Sequence, residues 1–136
     1  SHRNIIEETE YNSDGSQRVS TLYRLNSQGY TIEKETVYYT SNGTLCEREL
    51  YKHDSQGNVI EKLCYNSDRL LISKSINKYD LQGNLIEEAE YKSDNSLVEK
   101  TLYKYDSQGN IIEAITYESV IMIPKYMIEY KISYRK

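Results

Sequence analysis

Lys78-Tyr79-Asp80-Leu81-Gln82-Gly83-Asn84-Leu85-Ile86-Glu87 compresses the end of one strand, a tight turn and the start of the next strand into a single run. Asp80 can accept hydrogen bonds from the backbone just ahead of it. Gly83 supplies the left-handed conformation that closes a type I turn with a bulge. Moving outward, the turn recurs as Asn26-Ser27-Gln28-Gly29, Asp54-Ser55-Gln56-Gly57 and Asp106-Ser107-Gln108-Gly109, with glycine spacings of 28, 26 and 26 across the four. A second series interleaves at the same spacing: Ser13-Asp14-Gly15, Ser41-Asn42-Gly43, Ser67-Asp68-Arg69 and Ser93-Asp94-Asn95. Arg69 fits worst, since a long cationic side chain with a Cβ stands where glycine or asparagine belongs.

Between the turns lie segments rich in Tyr, Ile, Val and Thr, the residues that favour a pleated surface. They run roughly over 4–12, 16–26, 30–40, 44–54, 58–66, 70–80, 84–92, 96–106 and 110–117. A tenth follows, with Tyr126, Ile128, Tyr130, Ile132 and Tyr134 alternating with Met127, Glu129, Lys131, Ser133 and Arg135. The link from Glu118 to Lys125 carries the only proline and interrupts the repeat. The expected fold is all-β: an antiparallel meander of about ten strands built from tandem hairpins of about 26 residues. It forms one twisted or curled sheet within one domain over 1–136, with repeats at about 4–29, 30–57, 58–83, 84–109 and 110–136.

Three-residue loops at all eight turns predict that residues of like parity face each other, so that parity reports the sheet face. Lys74 would then meet Glu90, Tyr79 would meet Leu85, Glu88 would meet Lys100, Ile86 would meet Leu102 and Cys64 would face Arg48. The even face would gather Leu22, Ile32, Leu50, Ile60, Ile76, Ile86, Leu102 and Ile112, bordered by Arg24, Lys52, Lys78 and Lys104. The odd face would gather Tyr51, Tyr65, Tyr79, Tyr91, Tyr103, Tyr105 and Tyr117, with Glu61, Glu87 and Glu113 between them.

Composition narrows the function. Fifteen Tyr stand beside no Phe and no Trp. A net charge of -4 and a pI near 5.3 argue against a nucleic-acid backbone or an anionic membrane surface as partner, since both require a basic patch. The longest aliphatic run, Val120 to Ile123, is far too short to insert into a bilayer.

Tyr105-Asp106-x-x-Gly109-Asn110-Ile111-Ile112, Tyr79-Asp80-x-x-Gly83-Asn84-Leu85-Ile86 and His53-Asp54-x-x-Gly57-Asn58-Val59-Ile60 resemble the Tyr-Asp (Rhs-like) repeats of large bacterial surface and secreted proteins. The likeness runs nearly to Tyr117. It implies long β-sheets that bind carbohydrate or partner proteins rather than catalyse, in a chain at the bacterial surface, outside the cell or in the periplasm. Asn4-Ile5-Ile6-Glu7 matches the start of a strand after such a turn, with Arg3 where the glycine would be. This chain therefore reads as the C-terminal part of a longer array whose first strand offers an edge for self-association.

Sharper chemistry fares less well. Parity puts His53 on the opposite face from Cys46 and Cys64, which argues against a Cys-His nucleophile, and it leaves the two thiols one diagonal step apart, wrong for a disulfide without slippage. His2 has no partner. Asp54, Asp80 and Asp106 are spread one per hairpin, as turn capping requires and a calcium site does not. The glutamate rows repeat, whereas a hydrolytic carboxylate pair is made once, in a pocket. No metal, cofactor or catalytic residue is expected. The best candidate surface is the tyrosine-rich face, Tyr51, Tyr65, Tyr79, Tyr91, Tyr103, Tyr105 and Tyr117 with Glu61, Glu87 and Glu113, since rings beside carboxylates suit a sugar or a cationic peptide. A purely structural segment of a repeat array is the alternative.

Overall fold

The computed structural model describes residues 4–118 and 124–130, with only the backbone of Cys46 and of residues 124–126. Ten strands follow one another: β1 (Ile5–Tyr11), β2 (Gln17–Leu25), β3 (Thr31–Tyr39), β4 (Leu45–His53), β5 (Val59–Tyr65), β6 (Leu71–Tyr79), β7 (Leu85–Lys92), β8 (Leu97–Tyr105), β9 (Ile111–Glu118) and β10 (Pro124–Glu129). They form one antiparallel sheet in sequence order that does not close on itself, and the described residues contain no helix. The fold is thus the expected meander. The tenth strand starts earlier than its alternation implied, at Pro124. Its anticipated continuation through Ile132 and Tyr134 lies outside the described residues, as does His2.

All eight turns form as read. In each, a backbone N–H closes back on the first residue, as Gly83 N does on Asp80 O at 3.1 Å, and the flanking pair is bonded, as Asp80 N is to Asn84 O at 2.9 Å. The left-handed position is occupied even where glycine is missing: Arg69 has φ 62° and Asn95 φ 65°.

The register does not follow parity. In every hairpin whose pairing is described, one extra residue sits on the second strand just beyond the turn: Arg18, Ile32, Cys46, Ile60, Val98 and Ile112. Past that bulge, residues of unlike parity face each other, and the facing parity alternates from strand to strand. Glu88 meets Thr101, and Leu102 meets Glu87 rather than Ile86. Cys64 meets Glu49, not Arg48. A bulge sets two residues against one, so composition at the turn fixes the loop but not the pairing beyond it. The expected aliphatic band is broken accordingly, and the bulge isoleucines Ile32, Ile60 and Ile112 stand 41%, 36% and 37% exposed.

The chain divides into two compact units, Ser1–Lys74 and Ser75–Lys136. Among the described residues only Ala89 (1% exposed) and Thr36 (5%) are buried, and no large side chain is fully covered. A sheet with so little interior is held by its ladder bonds and by cross-strand side-chain pairs, each worth about 0.2–1 kcal/mol.

Candidate functional site

The first unit carries a polar cluster on one face. Tyr23, Lys34, Tyr51 and Lys62 stand in one row across β2 to β5. Lys34 Nζ lies 5.8 Å from the Tyr23 ring centre and 5.5 Å from that of Tyr51, and Lys62 Nζ lies 5.3 Å from Tyr51. Glu49, with its side chain 14% exposed, accepts from Lys62 Nζ at 2.5 Å, from Tyr51 Oη at 2.7 Å and from Tyr38 Oη at 3.2 Å. Burial alone would raise its pKa, but the bonds from Lys62, Tyr51 and Tyr38 bring it below the usual value. Burial pushes Tyr51 up, and Glu49 adds to the shift. The ligand atoms of Glu47, Glu49 and Cys64 lie within 4.8 Å of one another, a spacing that could hold a metal. Glu49 already serves three donors, however, so the cluster fits the sheet's own cohesion better than a cation. Cys64 is a free thiol. The new register does put His53 and Cys64 on one face, contrary to parity. His53 nevertheless pairs with Val59 at the turn end of β4, four residues along from the partner of Cys64. That is about 13 Å of extended chain, too far for a nucleophile pair.

The proposed tyrosine face does not assemble. In the first unit Tyr51 shares its face with Lys62, while Glu61 and Tyr65 lie on the other side with Lys52 and Arg48. Lys52 Nζ bonds Glu61 at 2.7 Å, and the Arg48 guanidinium sits 5.4 Å from the Tyr65 ring centre. In the second unit Tyr117 faces Lys100 and Glu113 faces Lys104, so both lie with Glu87 and Tyr91 on the side opposite Tyr103 and Tyr105. Tyr79 is half-buried at the end of β6. Glu61, Glu87 and Glu113, expected between the rings, are held by cations, as is Glu33 at the same place in an earlier repeat: Arg24–Glu33 at 3.2 Å, Lys52–Glu61 at 2.7 Å, Lys78–Glu87 at 3.0 Å and Lys104–Glu113 at 2.6 Å. This ladder, one rung per repeat, was missed from the sequence although its signal is there. A cation precedes each glutamate by nine residues, and across a three-residue loop an odd spacing can pair only if a bulge intervenes.

A concave site forms in the second unit instead, between the turns at Asp80 and Asp106. It is an open groove of about 800 Å³ lined by Asp80, Gln82, Asn84, Tyr103, Tyr105 and Gln108, with Ile86 and Ile112 among its apolar members. The turns that wall it are rigidly built. Asp80 Oδ1 accepts from the backbone N–H of Gln82 and of Asn84, both at 2.9 Å, and its Oδ2 accepts from Asn84 Nδ2 at 3.0 Å. Asp106 is held in the same way by Gln108 and Asn110. The Asn84 amide, then its backbone, lowers the Asp80 pKa, so that carboxylate stays charged and serves as an acceptor. Tyr105 Oη donates to Leu85 O at 2.6 Å, fixing its ring beside the groove. The side chains of Gln82, Ser107 and Gln108, in contrast, are exposed and form no hydrogen bond within the described residues.

No family model matches this chain, and no curated protein matches it. Among solved structures it is similar to TarM of S. aureus, crystallised with Fondaparinux, alpha-GlcNAc-glycerol and UDP, at 12% identity and a TM-score of 0.39, covering 87% of this chain. The chain spans about 20% of TarM. It is similar to the Tc holotoxin pore of Photorhabdus luminescens at 12% identity and a TM-score of 0.31, covering 90% of this chain and 9% of that one. It is also similar to a Bacteroides fragilis protein of unknown function at 12% identity and a TM-score of 0.28, covering 95% and 94% of the two chains. None of these likenesses identifies a family. No described helix is long and apolar enough to cross a membrane.

Proposed function

We propose that this chain is a non-enzymatic β-repeat module that binds a glycan in the groove between the Asp80 and Asp106 turns. The observation that carries the reading is the groove's division of labour. Its carboxylates are fixed by their own turns, its floor offers aliphatic and tyrosine surface, and Gln82, Ser107 and Gln108 are left over to exchange hydrogen bonds with a ligand. A sugar ring presents the complementary pair of surfaces, hydroxyls at its rim and C–H groups on its faces. Catalysis is disfavoured by the same bonds. The repeating glutamates Glu61, Glu87 and Glu113 are engaged by lysines and Asp80 by its own turn, so neither set offers two carboxylates free to act together. The Tyr-Asp character of the turns supports a place at the bacterial surface or outside the cell.

A glycan array with the intact chain, followed by calorimetric titration of any hit, tests this. Binding should weaken at least about tenfold in a Gln82→Ala/Gln108→Ala variant, the loss of two or so exposed hydrogen bonds. Retention of full affinity in that variant would move the ligand elsewhere. The absence of any hit would favour the alternative, a scaffold segment held together by the Lys/Arg–Glu ladder.

A further inference from the structure

The groove of the second unit is made of two equal halves. Asp80 and Asp106, Gln82 and Gln108, and Ile86 and Ile112 line it as pairs, each 26 residues apart. The halves are built alike. Asp80 Oδ1 accepts from Gln82 N and Asn84 N, each at 2.9 Å, and Asp106 Oδ1 accepts from Gln108 N and Asn110 N at the same distance. Both glutamine side chains and both isoleucines are exposed. β7 and β9, which follow the two turns, are each antiparallel to β8 and so run in one direction. The halves are therefore related by a shift across the strands, with the modest rotation that sheet twist adds, and not by a two-fold axis. Two ladder spacings set the shift at about 10 Å. Between the halves β8 contributes Tyr103 and Tyr105, both half-buried. Lys104, the cation of the groove, is engaged by Glu113 at 2.6 Å.

Resting on the glycan reading above, we propose that the ligand is a linear, neutral polysaccharide of β-linked hexoses, of the cellulose or chitin kind, lying across the strands with one disaccharide per repeat of the protein. In such an extended chain each ring is flipped relative to the last. The same face and the same hydroxyls therefore recur at every second ring, a distance close to that of two strands. One ring rests over Ile86 within reach of Gln82, and the next but one rests over Ile112 within reach of Gln108. The flipped ring between them lies against Tyr103 and Tyr105. A shift-related pair of half-sites suits a polymer that repeats by a shift, and a lone sugar would fill only half of it. An α-linked chain coils out of register. An anionic chain would meet Asp80 and Asp106 while the lysine of the groove is already engaged.

The test is calorimetric titration of the intact chain with cellobiose and cellotetraose, with chitobiose and chitotetraose, and with maltotetraose as the α-linked control. In at least one β-linked series the tetrasaccharide should bind at least about tenfold more tightly than the disaccharide, because it alone reaches both half-sites. Gln82→Ala and Gln108→Ala, taken singly, should each erase that gain. Either should weaken disaccharide binding only about twofold, since the other half-site remains. Which series responds identifies the ring substituent. Three outcomes overturn the proposal and leave a glycan site in place: no gain from di- to tetrasaccharide, equal affinity for maltotetraose, or array hits confined to glycans without this β-linkage. Binding of no glycan at all removes the glycan reading as well.

Discussion

Lys78 and Glu87, nine residues apart along the chain, meet across the β6–β7 hairpin with Nζ 3.0 Å from Oε1, and Lys100 Nζ approaches the same oxygen at 3.3 Å. Glu87, 17% exposed, is the most enclosed carboxylate of the four rungs and the one that meets two lysines, whereas Lys104 on the next rung is 69% exposed and makes a single pair. Glu87→Gln leaves two lysines facing each other beside a neutral amide and should cost about 1–2 kcal/mol. Lys104→Met, which breaks a solvent-screened pair, should cost less. Urea denaturation of the two variants checks the ranking; equal losses would mean that enclosure does not set the strength of the rungs.

The ladder also marks what could and could not be read from the residues. Turns and strands were legible because Asp/Asn at the start and Gly at the end of most loops act locally, and all eight loops close, those ending in Arg69 and Asn95 included. The pairing beyond them was not, because the extra residue at Ile32, Ile60 or Ile112 has no distinctive chemistry and looks like any strand isoleucine. One shifted residue per hairpin was enough to part Tyr103 from Tyr117 and dissolve the tyrosine face. The groove escaped notice for a related reason: it is formed by successive turns, each of which by itself reads as a cap.

Arg69 occupies the left-handed position of its turn at φ 62°. A residue with a Cβ is strained there by about 1–2 kcal/mol, and the cost falls to almost nothing for glycine. Arg69→Gly should therefore raise stability by about 1 kcal/mol, and Gly83→Ala, at φ 86°, should lower it by a similar amount. Asn95→Gly, where the native side chain already tolerates that region, should change little. Thermal melts of the three variants would expose an error in the turn assignment if Arg69→Gly proved neutral.

Thr36 is one of two buried residues described, and its Oγ1 has no hydrogen-bond partner. It sits opposite Thr21 and Glu49, in the middle of the polar cluster of the first unit. Thr36→Val keeps the branched shape and removes the orphaned hydroxyl, so it should stabilise by about 1 kcal/mol. Thr36→Ser keeps the hydroxyl and loses a methyl, and should destabilise. Chemical denaturation of both separates this account from simple loss of volume, in which neither variant would gain.

Stability should plateau around neutral pH and fall on both sides, for reasons that differ by sign. The turn carboxylates lie below their ordinary pKa of 3.8: Asp54 and Asp80 chiefly through the amides of Asn58 and Asn84, Asp14 and Asp94 through the hydroxyls of Ser16 and Ser96. A lowered acid contributes fully above its unfolded value and loses that contribution as pH drops through the folded one, so the turns should weaken below about pH 3.8. Tyr23, Tyr38, Tyr51 and Tyr103 are raised above 10.0, by burial first and by Glu8, Glu49 or Glu88 second. Lys62 is raised by its bond to Glu49. Raised groups stabilise below their unfolded values and cease to as pH climbs through the folded ones, so the tyrosine–glutamate pairs should fail above about pH 10. Urea midpoints followed across both limits, with tyrosinate absorbance on the alkaline side, provide the check. In Glu49→Gln the absorbance rise should shift to lower pH, because Tyr38 and Tyr51 lose the anion that resists their ionisation; an unchanged rise would place the shift in burial alone.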